Sequence, residues 1–366
     1  MSWFRKSATA TRAEVQVALV PEVLSTPVPE ALSAVVPVPE AQVVPVNAPQ
    51  IVAPDLSLRP QSLQEYVGQE HIIARLKVAL HAARARNAAL PHVLFHGAPG
   101  LGKTSISGVL AKEIGGSMIV TSGPVLEKSG DIVSPLLELK PRDVLFIDEI
   151  HRIPAKLAEV LYGAMEDFTV DMALEFGTES EVMHFRLPPF TLAGATTRAG
   201  DLAAPLRMRF GLICNMEFYR LEELKRIITR SAAILGIGLR SGAAEAIAQR
   251  ARETPRVANN LLLRMRDYAA MEGLTRVTAE LIERSMEAEG IDTQGLEPID
   301  RRYMGELCGT YKGGPVGLVT LAASLQETEK TLTELVEPYL MRAGLLSRTG
   351  KGRVATEKAK SQFGGS

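Results

Sequence analysis

From Leu58 to about Glu217 the chain alternates short, uninterrupted apolar runs with stretches of helical period. Four runs stand out: Val93–His96, Met118–Thr121, Val144–Ile147 and Thr191–Ala195. The run Val144–Ile147 does not alternate polar with apolar, so it reads as a strand covered on both faces, as in a parallel sheet. Strands alternating with helices predict an α/β domain. From Leu221 to about Gly290 the period turns helical throughout, with Leu221, Leu224, Ile227 and Ile228 on one stripe. Ala243, Ala244, Ile247, Ala248 and Ala251 form a second stripe. From about Asp300 a third unit carries Leu318–Leu325, then Leu332, Leu335, Val336, Tyr339 and Leu340, with Pro338 placed to bend the last helix. Gly350-Lys351-Gly352 between two short apolar segments reads as a hairpin. Helices followed by a hairpin predict a winged helix. Residues 1–54 break the pattern: Pro21-Glu22-Val23-Leu24-Ser25 recurs as Pro29-Glu30-Ala31-Leu32-Ser33, and Val and Pro alternate after it. Proline removes donors and favours extended geometry, so this stretch is expected to form a tail without a packed core. The expected division is 1–54, 55–217, 218–292 and 293–366.

Chemistry enters at Gly97-Ala98-Pro99-Gly100-Leu101-Gly102-Lys103-Thr104, which fits G-x-x-x-x-G-K-[ST]. A strand precedes it and a helical stretch follows. That is what a phosphate cradle needs, because glycines admit backbone N–H groups and the helix N-terminus favours anions. A chance glycine-rich turn would lack this context. Lys103 is expected to reach the β/γ-phosphates and Thr104, followed by Ser105, to place a hydroxyl on Mg²⁺. About 45 residues on, the run Val144-Leu145-Phe146-Ile147 ends in Asp148-Glu149. Carboxylates at the C-terminal end of a buried strand lie where open α/β sheets hold ligands. Asp148 is expected to hold Mg²⁺ and Glu149 to polarise water; alone, they would read as two surface acids at a strand end.

Composition removes several classes. A net charge of −1 leaves no whole-chain polyelectrolyte, so any nucleic-acid surface is local. Two cysteines, Cys214 and Cys308, exclude a disulfide scaffold. The six histidines show no metal spacing; His151, next to the acids, reads as structural. No apolar run is long enough to span a bilayer; Met1–Arg12 has the basic and hydroxyl residues of a transit peptide, but Glu14 and Glu22 follow and no apolar h-region is present, so targeting is not expected. A soluble, cytoplasmic protein is expected.

Further motifs add a resemblance. Arg59-Pro60, Tyr66-Val67-Gly68-Gln69, the glycine loop, Asp148-Glu149-Ile150-His151-Arg152, Ala164-Met165-Glu166-Asp167, Gly194-Ala195-Thr196-Thr197-Arg198 and Pro205-Leu206-Arg207-Met208-Arg209 occur in order. Gly313-Gly314-Pro315-Val316-Gly317-Leu318 and Glu337-Pro338-Tyr339-Leu340 continue it. Together, from about Leu58 to Ala359, the chain resembles the RuvB family of AAA+ motors, which drive Holliday-junction branch migration. The resemblance implies an α/β fold: an AAA+ P-loop core with a parallel sheet, a helical lid and a C-terminal winged helix. It implies ATP and Mg²⁺, a homo-hexameric ring on double-stranded DNA and a role in recombination and repair.

Residue by residue, it makes Thr197 the first sensor and Arg209 the arginine finger given to a neighbouring subunit, with Arg207 as runner-up. It makes Arg256 the second sensor, and Leu58, Arg59 and Tyr219 the base and hinge contacts beside Gly100 and Gly102. Glu166-Asp167-Phe168 resembles a subunit-boundary segment near the nucleotide. From the residues alone, Arg209 and Arg256 would read as solvated surface arginines. The basic excess from Arg342 to Lys360 suits phosphate contacts or a plain solvated hairpin. The resemblance assigns Arg348 and Arg353 to DNA. It also makes 170–187 a hairpin gripping a RuvA-like partner, with a RuvC-like resolvase one step further away. Val170, Met172, Leu174 and Phe176 alternate with polar or small residues, giving it one apolar face.

The chain departs from the family pattern at Ala98, Asn260, Leu263, Gly177–Val182 and Gln326–Lys330, where Glu329 would repel a phosphate. Two rivals follow. One is a protein unfoldase, for which no aromatic-hydrophobic-glycine pore loop precedes Asp148. The other is an ATP-switched DNA-binding adaptor or clamp-loader-like protein without migration activity.

Overall fold

The computed structural model describes residues 58–364 except 177 and 178, and within 172–182 the backbone alone. The tail expected over 1–54 lies outside the described residues. So do the side chains of Met172, Leu174 and Phe176, on which the hairpin's apolar face was read.

Five strands make the central sheet: β1 (Val93–His96), β2 (Met118–Ser122), β3 (Val144–Asp148), β6 (Thr191–Thr196) and β7 (Leu212–Asn215). The remaining pair, β4 (Thr169–Phe176) and β5 (Glu179–Arg186), leaves the sheet as a hairpin. The sheet order is β2-β3-β6-β1-β7, all parallel. Register places Val144 beside Met118 and Thr191, and Val93 beside Ala193 and Leu212. Val144, Leu145, Phe146 and Ile147 are buried on both faces of the sheet, which is why β3 shows no alternation. β7 was not among the expected strands. Leu212-Ile213-Cys214 is as long an apolar run as that of β1; Cys214 is buried, and Leu212 and Ile213 are partly covered at the sheet's edge.

The topology sets the site. After β1 the chain crosses over β6 and β3 to reach the far edge, so the C-terminal ends of β1, β6 and β3 lie side by side at a switch in strand order. Helix Glu70–Arg86 buries Ile72, Leu76 and Leu80 in a core that includes Phe95 and Val109 and runs on into the helical unit through Leu224, Ile228, Ile247, Leu262 and Met286. The other sheet face buries Leu94, Leu145, Leu161, Leu192 and Phe210. The helical unit is therefore not a separately packed body; its core is shared with one sheet face.

A distinct third core holds Tyr303, Leu307, Leu321, Leu332, Val336, Leu340 and Leu346. Here helices precede β10 (Leu346–Thr349) and β11 (Gly352–Ala355), an antiparallel pair that forms the wing; two minor strands, β8 (Gly238–Leu239) and β9 (Arg276–Val277), lie earlier. Pro338 does disturb its helix: residues Leu332–Val336 widen into a π turn. A proline has no N–H to give and its ring crowds the carbonyl four residues back, so the turn opens. Arg252 and Glu253, both with positive φ, join the helical unit to this third one. Arg252 pairs with buried Asp300, and Glu253 with Arg342, which also lies 4.4 Å from the Phe218 ring. Among the described residues no helix is long and apolar enough to cross a membrane.

Candidate functional site: a nucleotide cleft and a basic wing

The glycine loop follows β1 and opens the helix Lys103–Ile114. Gly100 and Gly102 have φ of +81° and +98°, a region that L side chains avoid. Space confirms the need: a Cβ on Gly102 would come 2.7 Å from the Tyr66 hydroxyl, and one on Gly100 would meet Arg256. Lys103 is buried and donates to the Gly97 and Ala98 carbonyls at 2.9 Å each. Burial lowers its pKa, with Asp148 and Glu149 opposing the shift. The ammonium thus sits inside the loop, aimed at the space the loop encloses.

β3 delivers Asp148 and, one residue on, Glu149, whose φ of +48° turns its carboxylate back toward β6. Asp148 Oδ1 accepts from the Glu149 N–H at 3.0 Å. Thr197 follows β6 and donates its hydroxyl to Glu149 Oε2 at 3.2 Å. His151 comes within 3.3 Å of the same oxygen and 2.9 Å of the Thr196 hydroxyl. Read from sequence as structural, His151 in fact touches the acid.

Lys103, Asp148, Glu149 and Thr197 line one cleft that is open to solvent. Leu58, Arg59, Gly100, Gly102, Lys103, Thr104, Ser105, Asp148, Glu149, Thr197, Tyr219 and Arg256 all reach it. Arg256 comes from the helical unit and its backbone N–H points at the Gly100 carbonyl, 3.4 Å away. The sequence reading missed Tyr66, Ile227 and Arg230, which also line the cleft. Tyr66 opens the Tyr66-Val67-Gly68-Gln69 motif. Arg230 gives no sequence signal, since it lies on an ordinary amphipathic helix. It donates to the Leu58 and Glu65 carbonyls and so ties the entry segment to that helix. Burial pushes the Tyr66 hydroxyl up and the Tyr219 hydroxyl up to about 12, keeping both neutral. Tyr219 donates to the Leu101 carbonyl and Tyr66 to that of Gly102.

Four residues expected at the nucleotide, Glu166, Asp167, Phe168 and Arg209, lie outside this cleft. Arg209 pairs with Glu166 at 3.1 Å, donates to the Pro205 carbonyl and stacks 4.3 Å from the Tyr162 ring. Tyr162 and Glu166 are one turn apart on the helix Ala155–Glu166, so they present one face to the guanidinium. Asp167 ends that helix, and Phe168, at φ +53°, packs edge-on against Phe190. Burial chiefly lowers the pKa of His96, and the charges of Arg207 and Lys103 add to the shift. Arg348 and Arg353 face each other across β10 and β11, and both reach the buried carboxylate of Glu337.

A parallel sheet of this order, a glycine loop with Lys103, paired acids on β3 and a helical unit closing over one cleft define a nucleotide-binding P-loop ATPase of the AAA+ class. Family models match along the described chain: the Holliday junction DNA helicase RuvB P-loop domain at 58–216, the RuvB AAA lid domain at 219–292 and the RuvB C-terminal winged helix domain at 293–364. The chain belongs to the RuvB family. It is 48% identical over 310 residues to the Holliday junction branch migration complex subunit RuvB of Paramagnetospirillum magneticum, covering 85% of this chain and 89% of that one. The protein of the same description from Kosmotoga olearia is 47% identical over 308 residues, covering 84% and 90%. Among solved structures, the Thermotoga maritima RuvB Holliday junction branch migration motor shares 45% identity at a TM-score of 0.75, covering 84% of this chain and 98% of that one.

Proposed function

We propose that the chain is an ATP-hydrolysing DNA motor that drives Holliday-junction branch migration in recombination and repair, working as a homo-hexameric ring on duplex DNA. The observation that carries this reading is the division of the hydrolytic groups. Lys103, Asp148, Glu149, Thr197 and Arg256 converge on one cleft, while Arg209 is held outside it. A finger that does not reach its own cleft suits donation to a neighbour.

In this reading the glycine-loop N–H groups and Lys103 bind the phosphates. Leu58, Arg59 and Tyr219 enclose the base. Thr104 and Asp148, both lining the cleft, fit a Mg²⁺ completed by phosphate and water oxygens. The metal would offset charge on the β- and γ-phosphates. Glu149 takes the proton of the attacking water once it leaves Thr197 and His151. Thr197 and Arg256 report the γ-phosphate, and Arg209 of one subunit stabilises the charge that builds in the next. Glu166, Asp167 and Phe168 form the rim that meets the neighbour's nucleotide. Arg348 and Arg353 bind DNA phosphates.

The working units are the tail 1–54, the ATPase domain 55–217, the lid 218–292 and the winged helix 293–366. The β4–β5 hairpin, paired from Thr169 with Arg186 to Phe176 with Glu179, is the docking element for a RuvA-like protein. A RuvC-like resolvase would act on the same junction, in the cytoplasm. The test is ATP turnover with and without duplex DNA, alongside branch migration of a synthetic four-way junction with and without RuvA. Turnover without strand movement, RuvA being bound, would overturn the motor reading in favour of an ATP-switched adaptor.

A further inference from the structure

The two motifs of the third unit, Gly313-Gly314-Pro315-Val316 and Glu337-Pro338-Tyr339-Leu340, have no part in the chemistry so far. The structure places both against the wing. Glu337 is the first helical residue after the π turn and is fully buried. Its Oε2 accepts from Arg348 Nε at 2.6 Å and Nη2 at 2.5 Å. Its Oε1 accepts from Arg353 Nε at 3.0 Å and from the Tyr303 hydroxyl at 2.9 Å. Burial, reinforced by the adjacent carboxylate, raises the Tyr303 hydroxyl pKa and keeps it a donor. The carboxylate is thus fixed from below by Tyr303 and spanned from above by two guanidinium groups.

The Arg353 backbone is fixed as well. Its N–H donates to the Val316 carbonyl at 2.8 Å, and Val316 N–H returns a bond to the Arg353 carbonyl at 3.0 Å. A Cβ on Gly314 would lie 2.3 Å from that carbonyl oxygen, and one on Gly352 would lie 2.4 Å from the Val316 oxygen. Only glycine at both places lets the two segments meet. Even so, the arginines are not lost inside: their side chains are 41% and 18% exposed. Among the described residues nothing takes the Nη1 group of either.

We propose that Glu337 is a positioning residue for DNA binding, holding Arg348 and Arg353 as a rigid pair whose outer N–H edges meet duplex phosphates. The proposal rests on the reading that the wing binds DNA. Its physical basis is that a free arginine loses rotamer freedom when ordered, whereas a held fork has already lost it. One carboxylate against two guanidiniums still leaves the pair positive.

Charge alone and positioning predict opposite signs. Removing an acid beside two phosphate-binding arginines should tighten DNA binding if only charge mattered. Removing their holder should weaken it. The experiment titrates labelled duplex DNA into the full-length chain at several salt concentrations. Glu337→Gln is expected to bind about tenfold more weakly at a temperature where it is still folded. Arg348→Ala with Arg353→Ala is expected to bind more weakly still, with a shallower salt slope. Adding Glu337→Gln to that double variant should change affinity no further, because Glu337 acts through the arginines; a merely structural role would lower it again. Equal or tighter binding by Glu337→Gln, or additivity in the triple variant, overturns the proposal. A double variant that binds like the parent overturns the DNA reading itself. Should Glu337→Gln unfold, Glu337→Asp decides: it keeps the charge but draws the carboxylate back from the two guanidiniums, so weaker binding supports positioning and unchanged binding overturns it.

Discussion

Replacing Arg209 with alanine separates a stability effect from a catalytic one. In its own subunit Arg209 makes a partly exposed ion pair with Glu166, a ring contact with Tyr162 and a bond to the Pro205 carbonyl. An ion pair whose acid is 55% exposed is screened and contributes about 0–1 kcal/mol, and the ring contact about 0.5–1 kcal/mol. Arg209 Nε is buried with no partner, which further offsets what the side chain contributes. Losing it should therefore lower the melting temperature by only a few degrees. Turnover is another matter. A finger supplied to a phosphoryl-transfer site is associated with about 10³–10⁵ in rate, or about 4–7 kcal/mol of transition-state stabilisation. Arg209→Ala should bind ATP nearly normally and hydrolyse it at least about 10³-fold more slowly. The assay is steady-state phosphate release across mixtures with Lys103→Ala subunits. An Arg209→Ala site beside a Lys103→Ala neighbour has an intact cleft and receives an intact finger, so mixing should restore part of the activity. No recovery in particles shown to hold both subunits would refute a finger acting across the boundary. A large loss of melting temperature would show that Arg209 is chiefly structural.

Lys103→Ala should abolish binding of a fluorescent ATP analogue, while Glu149→Gln should keep binding and lose about 10²–10⁴ in turnover, because water activation alone is removed; normal turnover in either variant would end the assignment. Asp300 is fully buried, and its Oδ1 has no partner. Burial pushes its carboxyl up to about 6 despite Arg252. A folded pKa above the unfolded value means that this group favours the fold most at low pH and disfavours it increasingly between about pH 4 and pH 6, by about 3 kcal/mol in total. Relative to the parent, Asp300→Asn should gain stability as pH rises through that window, as read from melting temperatures; a difference that does not move with pH would refute the raised pKa. Leu174→Glu or Phe176→Glu in the hairpin should abolish co-sedimentation with RuvA and RuvA-stimulated branch migration, and aggregation of these variants would instead mark that face as core.

Much of this protein was legible from local pattern. β1, β3 and β6 were expected to within a residue at their ends because a strand buried on both faces must be apolar without interruption. The glycine loop was legible because Gly100 and Gly102 need backbone freedom at fixed spacing, and the wing because Gly-Lys-Gly must turn. Those signals depend only on neighbours along the chain. Tertiary structure decided what depends on distant contacts. It showed that the helical unit shares its core with a sheet face, since burial of Leu224 or Met286 says nothing about which partner covers it. It added Tyr66 and Arg230 to the cleft from segments more than 150 residues apart in sequence. It brought His151, read as structural and near the chemistry, within 3.3 Å of the Glu149 carboxylate. It also tied the two wing arginines to Glu337, a buried acid whose meaning no periodicity could carry. A charge inside a core is tolerated only where partners are brought to it, and only the folded chain determines which partners those are.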